Sequence, residues 1–124
     1  MLVKLRSVIP QDGYIEATLE GHADVAPHNH QIVFDAVATA CRDDHCSRVL
    51  IDRTAVEGTA KDVVQQLVAE HVAKTFPPGV RIALLIPEFI SLHRFEAAVV
   101  SRGNIDFLRI FRDRDKALDW LLNN

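Results

Sequence analysis

Residues 48–76 read RVLIDRTAVEGTAKDVVQQLVAEHVAKTF, and this run divides into a buried strand, a turn and a helix. Val49, Leu50 and Ile51 are consecutive apolar residues closed by Asp52, the composition of a strand covered on both faces. Arg53 to Gly58 reads as the turn. Beyond it, Val63, Val64, Leu67, Val68, His71 and Val72 recur at helical spacing and define the face expected to lie on the sheet. Thr59 stands three residues before Asp62, a capping-box arrangement that places the helix start at Thr59. Pro77 and Pro78 end the helix at Phe76.

Working outward from this unit, Leu2 to Ile9 alternates, with Val3, Leu5 and Ile9 on one face and Lys4 and Arg6 on the other. Pro10 to Gly13 supplies turn residues, and Tyr14 to Glu20 alternates again with Ile15, Ala17 and Leu19 inward, so the two segments form a hairpin. Gly21 to Pro27 breaks the pattern. Ile32 to Cys41 then has Val33, Phe34, Val37, Ala38 and Cys41 at helical spacing, ending near Asp43. On the other side, Val80 to Ile86 is a second strand covered on both faces. Ser91 is positioned to cap a helix carrying Leu92, Phe95, Ala98 and Val99 on one face, with Gly103 at its end. Ile105 to Phe111 reads as an edge strand. Asp113 caps a last helix with Ala117, Leu118, Leu121 and Leu122 inward and Trp120 at the border. The order is ββαβαβαβα: an α/β fold in one domain over residues 1–124, with a mixed five-stranded sheet and about four helices.

At 124 residues the chain is long enough to bury a core without disulfides or metal. Its 48% apolar and 25% charged residues are ordinary for a globular protein, which sets aside disorder. A net charge of −3 supplies no basic field for nucleic acid. The longest apolar run, Ile82 to Ile86, falls far short of the roughly 20 residues of a membrane span. The alternating N-terminus is unlike a signal peptide, so the expectation is a cytoplasmic protein without membrane insertion. Cys41 and Cys46 are then expected as free thiols.

Histidines are the first candidates for chemistry. His22, His28 and His30 are close in sequence, but the helix expected beyond Pro27 turns His28 and His30 about 200° apart, so a solvated helix terminus is the reading and no metal is assigned. Cys41, Asp43, Asp44, His45 and Cys46 form a dense patch whose aspartates work against a reactive thiol. His71 falls in an apolar stripe and reads as a border residue. The carboxyl ends of the parallel strands are where open α/β sheets place ligands. Arg53, Thr54, Thr59, Glu88, Arg112 and Asp113 should converge there as an interaction rim for a protein or a small anion, the latter held by Arg53 and the amides at Thr59, where Arg53 with Glu88 or Asp113 would otherwise be ordinary exposed ion pairs. Phe89, Ile90 and Leu92 add an apolar group beside that rim. Ser91 and His93 diverge on a helix, and neither a glycine-rich phosphate loop nor a nucleophile elbow is present, so neither a catalytic set nor a cofactor is assigned.

The element order, the 49–52 and 80–86 strands and the closing Phe111, Asp113, Ala117, Leu118, Trp120, Leu121 pattern resemble the SpoIIAA-like branch of the STAS domains, which is related to bacterial anti-sigma-factor antagonists. The resemblance spans essentially the whole chain and implies a non-catalytic protein-interaction or regulatory module, with a protein partner or a homodimer formed through the hairpin edge or the exposed face of the first strand pair. In the antagonists a serine preceded by aspartate, at the start of the helix after the central strand, is phosphorylated. Thr59 is nearest to that position, but Gly58 and Ala60 flank it and the Asp-Ser pair is absent. The fold is also described jointly with Sec14-type lipid binders, which implies an alternative use as carrier of a lipid or small apolar ligand between the third helix and the sheet.

Overall fold

The computed structural model describes residues 2–87, 92–100 and 108–123. Its elements are β1 (Lys4–Pro10), β2 (Ile15–His22), α1 (Pro27–Asp43), β3 (Arg48–Glu57), α2 (Asp62–Thr75), β4 (Arg81–Leu85), α3 (His93–Val100), β5 (Leu108–Phe111) and α4 (Arg114–Asn123). The strands lie in the order β1-β2-β3-β4-β5, with β1 antiparallel to β2 and every later pair parallel. The expected ββαβαβαβα order and mixed sheet are present. Each crossover from β2 to β5 steps one strand in the same direction, so crossovers of one hand put α1, α2 and α3 on one face of the sheet.

That arrangement creates two cores. Ile15, Ala17, Leu19, Val49, Ile51, Ile82 and Leu84 face α1, α2 and α3, while Leu50, Ala83 and Leu85 face Ala117, Trp120 and Leu121 of α4. Alternation along β3 and β4 therefore buries both sides of the strands, which is why the sequence there is continuously apolar. Trp120 is buried, not at a border. Its ring lies against Phe111 at 5.7 Å and under the Arg81 guanidinium at 4.1 Å, which covers the edge the periodicity left open.

Several boundaries and faces differ from the sequence reading for identifiable reasons. In β1 the register shifts between Leu5 and Ser7, a bulge that inserts one residue. Val8 is thereby turned inward with Leu5, and Ile9, expected inside, is 52% exposed. The central strand continues through Arg53–Glu57, where a turn was expected, and stops at Gly58 with φ 75°. Thr59 does not cap α2: the helix begins at Asp62 after Lys61, without a side-chain cap bond. The inward face of α2 is Gln65, Val68, Ala69 and Val72, turned by about 100°, one residue's rotation, from the expected stripe. Val63 and Leu67 consequently stand in water. The expected roles of Glu88, Phe89, Ile90, Ser91, Gly103 and Ile105 to Phe107 fall outside the described residues.

Candidate functional site

Arg53 is the residue around which the site is built. Along the β2–β3 ladder Thr18 pairs with Asp52 and Glu20 with Ala55, so β3 places two residues, Arg53 and Thr54, opposite Leu19. Such a bulge redirects side chains. Asp52 Oδ1 accepts the Thr54 backbone N–H at 2.9 Å and its hydroxyl at 2.7 Å, holding the bulge closed on the α4 face. Arg53 continues the inward phase of Val49 and Ile51 and enters the space beneath α1, α2 and α3, where it is only 8% exposed.

The space it enters is a cavity between the helices and the sheet. His30 and Phe34 come from α1, Gln65 and Val68 from α2, Leu84 from β4, and Phe95 from α3, with Ala60 and Leu92 completing the wall. About 30 Å³ is open to water-sized occupants, within roughly 340 Å³ of unfilled volume counted out to its mouth. Phe34 and Phe95 stack with centroids 6.1 Å apart. Gln65, polar on the buried face of α2, is bonded at both ends of its amide: the NH2 donates to Ala60 O at 2.8 Å and the carbonyl accepts the Phe95 N–H at 3.3 Å.

His30 is buried as well, in place of the solvated terminus expected for it. Its Nε2 lies 2.9 Å from Ala23 O. A carbonyl only accepts, so Nε2 carries the proton and the neutral ring keeps a lone pair on Nδ1. Burial lowers the His30 pKa most; the Ala23 bond opposes this and the charge of Arg53 adds to it. Burial alone brings Arg53 down to about 10, which leaves it charged at neutral pH. Among the described residues no carboxylate or hydrogen-bond acceptor is paired with its guanidinium. A buried cation without a counter-ion is costly, and this one lies in a mostly apolar wall.

The residues expected to share one rim are divided by the sheet. Arg53 lies under α1–α3. Thr54 is tied to Asp52, and Asp52 joins Glu16 in holding Arg114 of α4, with Asp52 Oδ2 at 3.7 Å from the guanidinium. Asp113 caps α4 as its spacing implied, accepting from the Asp115 and Lys116 amides at 2.9 and 3.2 Å. Arg53 and Asp113 therefore lie on opposite faces and do not pair. Thr59 and Arg112 are exposed, and Glu88 is outside the described residues. Sequence reasoning missed His30 and Gln65 as companions of Arg53; the available signal was the two-residue phase that places position 53 with 49 and 51.

The other constellations are structural. Among the described residues no three histidine, cysteine or acidic side chains gather to hold a metal. Cys41 and Cys46 are free thiols, and burial, then Cys46 and Asp44, raises the Cys41 pKa to about 11. His71 pairs with Asp35 at 2.7 Å, linking α2 to α1. Among the described residues the cavity wall has no hydroxyl, thiol or carboxylate side chain to act as nucleophile beside His30.

No protein-family model matches the chain. No curated protein sequence matches it either. Solved structures do. An anti-sigma factor antagonist from Mycobacterium paratuberculosis superposes with a TM-score of 0.64 over 96% of this chain and 93% of that one, at 17% identity. An uncharacterised protein with a SpoIIAA-like fold from Shewanella loihica superposes with a TM-score of 0.53 over 97% and 94%, at 16% identity. The chain thus has the SpoIIAA-like fold that its element order implied.

Proposed function

We propose that this chain, with its SpoIIAA-like fold, is a non-catalytic regulatory domain that docks a protein partner on the outer surface of α1 and α2. The observation that carries the reading is the turn of α2, which leaves Val63 63% and Leu67 44% exposed beside Ile32 of α1 at 53%. The two helices run parallel and are joined by Asp35 and His71; one turn towards their N-termini lie Ile32 and Leu67, and one turn further lies Val63. Apolar side chains grouped in this way are a common mark of a protein contact. Asp35 and Asp62 are exposed on the same helices, which opposes an anionic membrane surface. The antagonist with the same fold is named for an action on another protein, in keeping with this use.

A photo-crosslinking amino acid at position 67 tests the reading, with one at Asp119 of α4 as control. In the source cells position 67 should yield a discrete adduct with a protein of different sequence, weakened by Ile32→Glu. An identical adduct pattern at 67 and 119 refutes the reading, and an adduct of two copies of this chain replaces it with self-association.

A further inference from the structure

We propose that the cavity beneath α1, α2 and α3 binds a small organic carboxylate, its acid group on the Arg53 guanidinium and its hydrocarbon body against Phe34, Leu92 and Phe95. Three independent features assign this chemistry. First, Arg53 is more than nine-tenths buried, is directed inward from a strand bulge, and has no counter-ion among the described residues. Second, the neighbouring polar groups do not neutralise it: Gln65 is uncharged and bonded to Ala60 and Phe95, and His30, whose burial favours the neutral ring, spends its Nε2 proton on Ala23 O. Third, the remaining wall is apolar, so a ligand must bring both an anion and a hydrocarbon part.

The same features select among anions. A planar guanidinium fork donates two parallel hydrogen bonds to a carboxylate, and one positive charge balances one negative charge. A phosphate dianion would want a second cation, which the wall does not offer. The free volume, enough for about two waters before any side chain shifts, favours an acid of a few carbon atoms over a long acyl chain. The site lies on the inner side of α2 and the proposed docking surface on its outer side, so either can fail without the other. The apolar carrier implied by the resemblance thereby acquires an anionic head group.

The test uses the whole purified protein with sodium hexanoate, sodium benzoate, hexanamide and inorganic phosphate as probes, followed by calorimetric titration and by nuclear Overhauser transfer to assigned aromatic protons. One or both carboxylates should bind saturably at one site and show transfer to the Phe34 and Phe95 rings; hexanamide and phosphate should not. Arg53→Met should weaken carboxylate binding by on the order of 30-fold or more, the usual loss on removing one partner of a buried charge pair. Arg53→Lys should retain part of it. Because the Overhauser transfer is read on unaltered protein, the test holds even if a variant does not fold. Absence of saturable carboxylate binding, transfer to α4 instead, equal binding of hexanamide or phosphate, or full binding by a folded Arg53→Met each overturns the proposal.

Discussion

Arg53→Met replaces a buried cation with a shorter, unbranched apolar side chain and should make the unliganded protein more stable. At 1.36 kcal/mol per pH unit, a guanidinium that titrates near 10 in place of its ordinary value above 12 bears a burial penalty of about 3 kcal/mol. Burial lowers the pKa of this base, so the penalty falls on the charged form and is complete at every pH below 10; at pH 7 the substitution should remove most of it. Some packing around the longer side chain is lost, and a net gain of about 1–3 kcal/mol is expected, in line with replacements of buried ionic groups by hydrophobic ones. At about 2.1 cal/mol/K per residue, 124 residues give an unfolding entropy near 0.26 kcal/mol/K. Each kcal/mol then raises Tm by about 4 °C, so the variant should melt roughly 4–12 °C higher. The assay is urea and thermal unfolding followed by far-ultraviolet circular dichroism at pH 7, in a buffer free of carboxylates, with the urea dependence checked for an unchanged slope. A loss of more than about 1 kcal/mol in Arg53→Met would show that the guanidinium is favourably engaged in the free protein, and the reasoning from an unbalanced buried charge would fail.

Two further outcomes follow from the same neighbourhood and from the hairpin. Because burial lowers the His30 pKa in the folded state, the unfolded chain binds more protons as the pH drops below about 6.5; stability should therefore fall with acidification below that pH, by at most about 1.4 kcal/mol per pH unit, and His30→Gln should flatten that slope in urea titrations. Gly21 has φ 108° and a Cβ there would collide with the Leu2 carbonyl oxygen, so Gly21→Ala should cost at least about 3 kcal/mol in chemical denaturation, whereas a change of less than about 1 kcal/mol would mean that the backbone at Leu2, ahead of β1, shifts freely.

The parts of the fold that were legible in the sequence are those where one physical signal acts alone. Val49 to Ile51 and Ile82 to Ile86 are apolar on every residue because helices cover both faces, and Asp113 sits one residue before its helix with a side chain that accepts backbone amides. The misreadings occur where two signals compete. Asp52 and Arg53 resemble a strand exit, yet each finds an enclosed environment on its own side, Asp52 with Arg114 and Arg53 in the cavity, so the strand runs on to Glu57. Hydrophobic patterning on α2 rejected Gln65 and selected Val63 and Leu67. Gln65 nevertheless belongs inside because the Ala60 carbonyl and the Phe95 amide satisfy it, and Ala69 beside it takes little space. The candidate site was hidden for a related reason: a charged residue is ordinarily assigned to solvent, and nothing in a one-dimensional pattern shows that a bulge will turn it inward.

The adjacency of Asp52 and Arg53 also acts on strand alignment. A shift of β3 by a single position would exchange the two environments, pushing a carboxylate in among Phe34, Leu84 and Phe95 and setting the guanidinium against the like-charged Arg114. Both consequences are unfavourable, so a pair of opposite charges on consecutive residues works as a polarity key that only the native pairing of β2, β3 and β4 accepts.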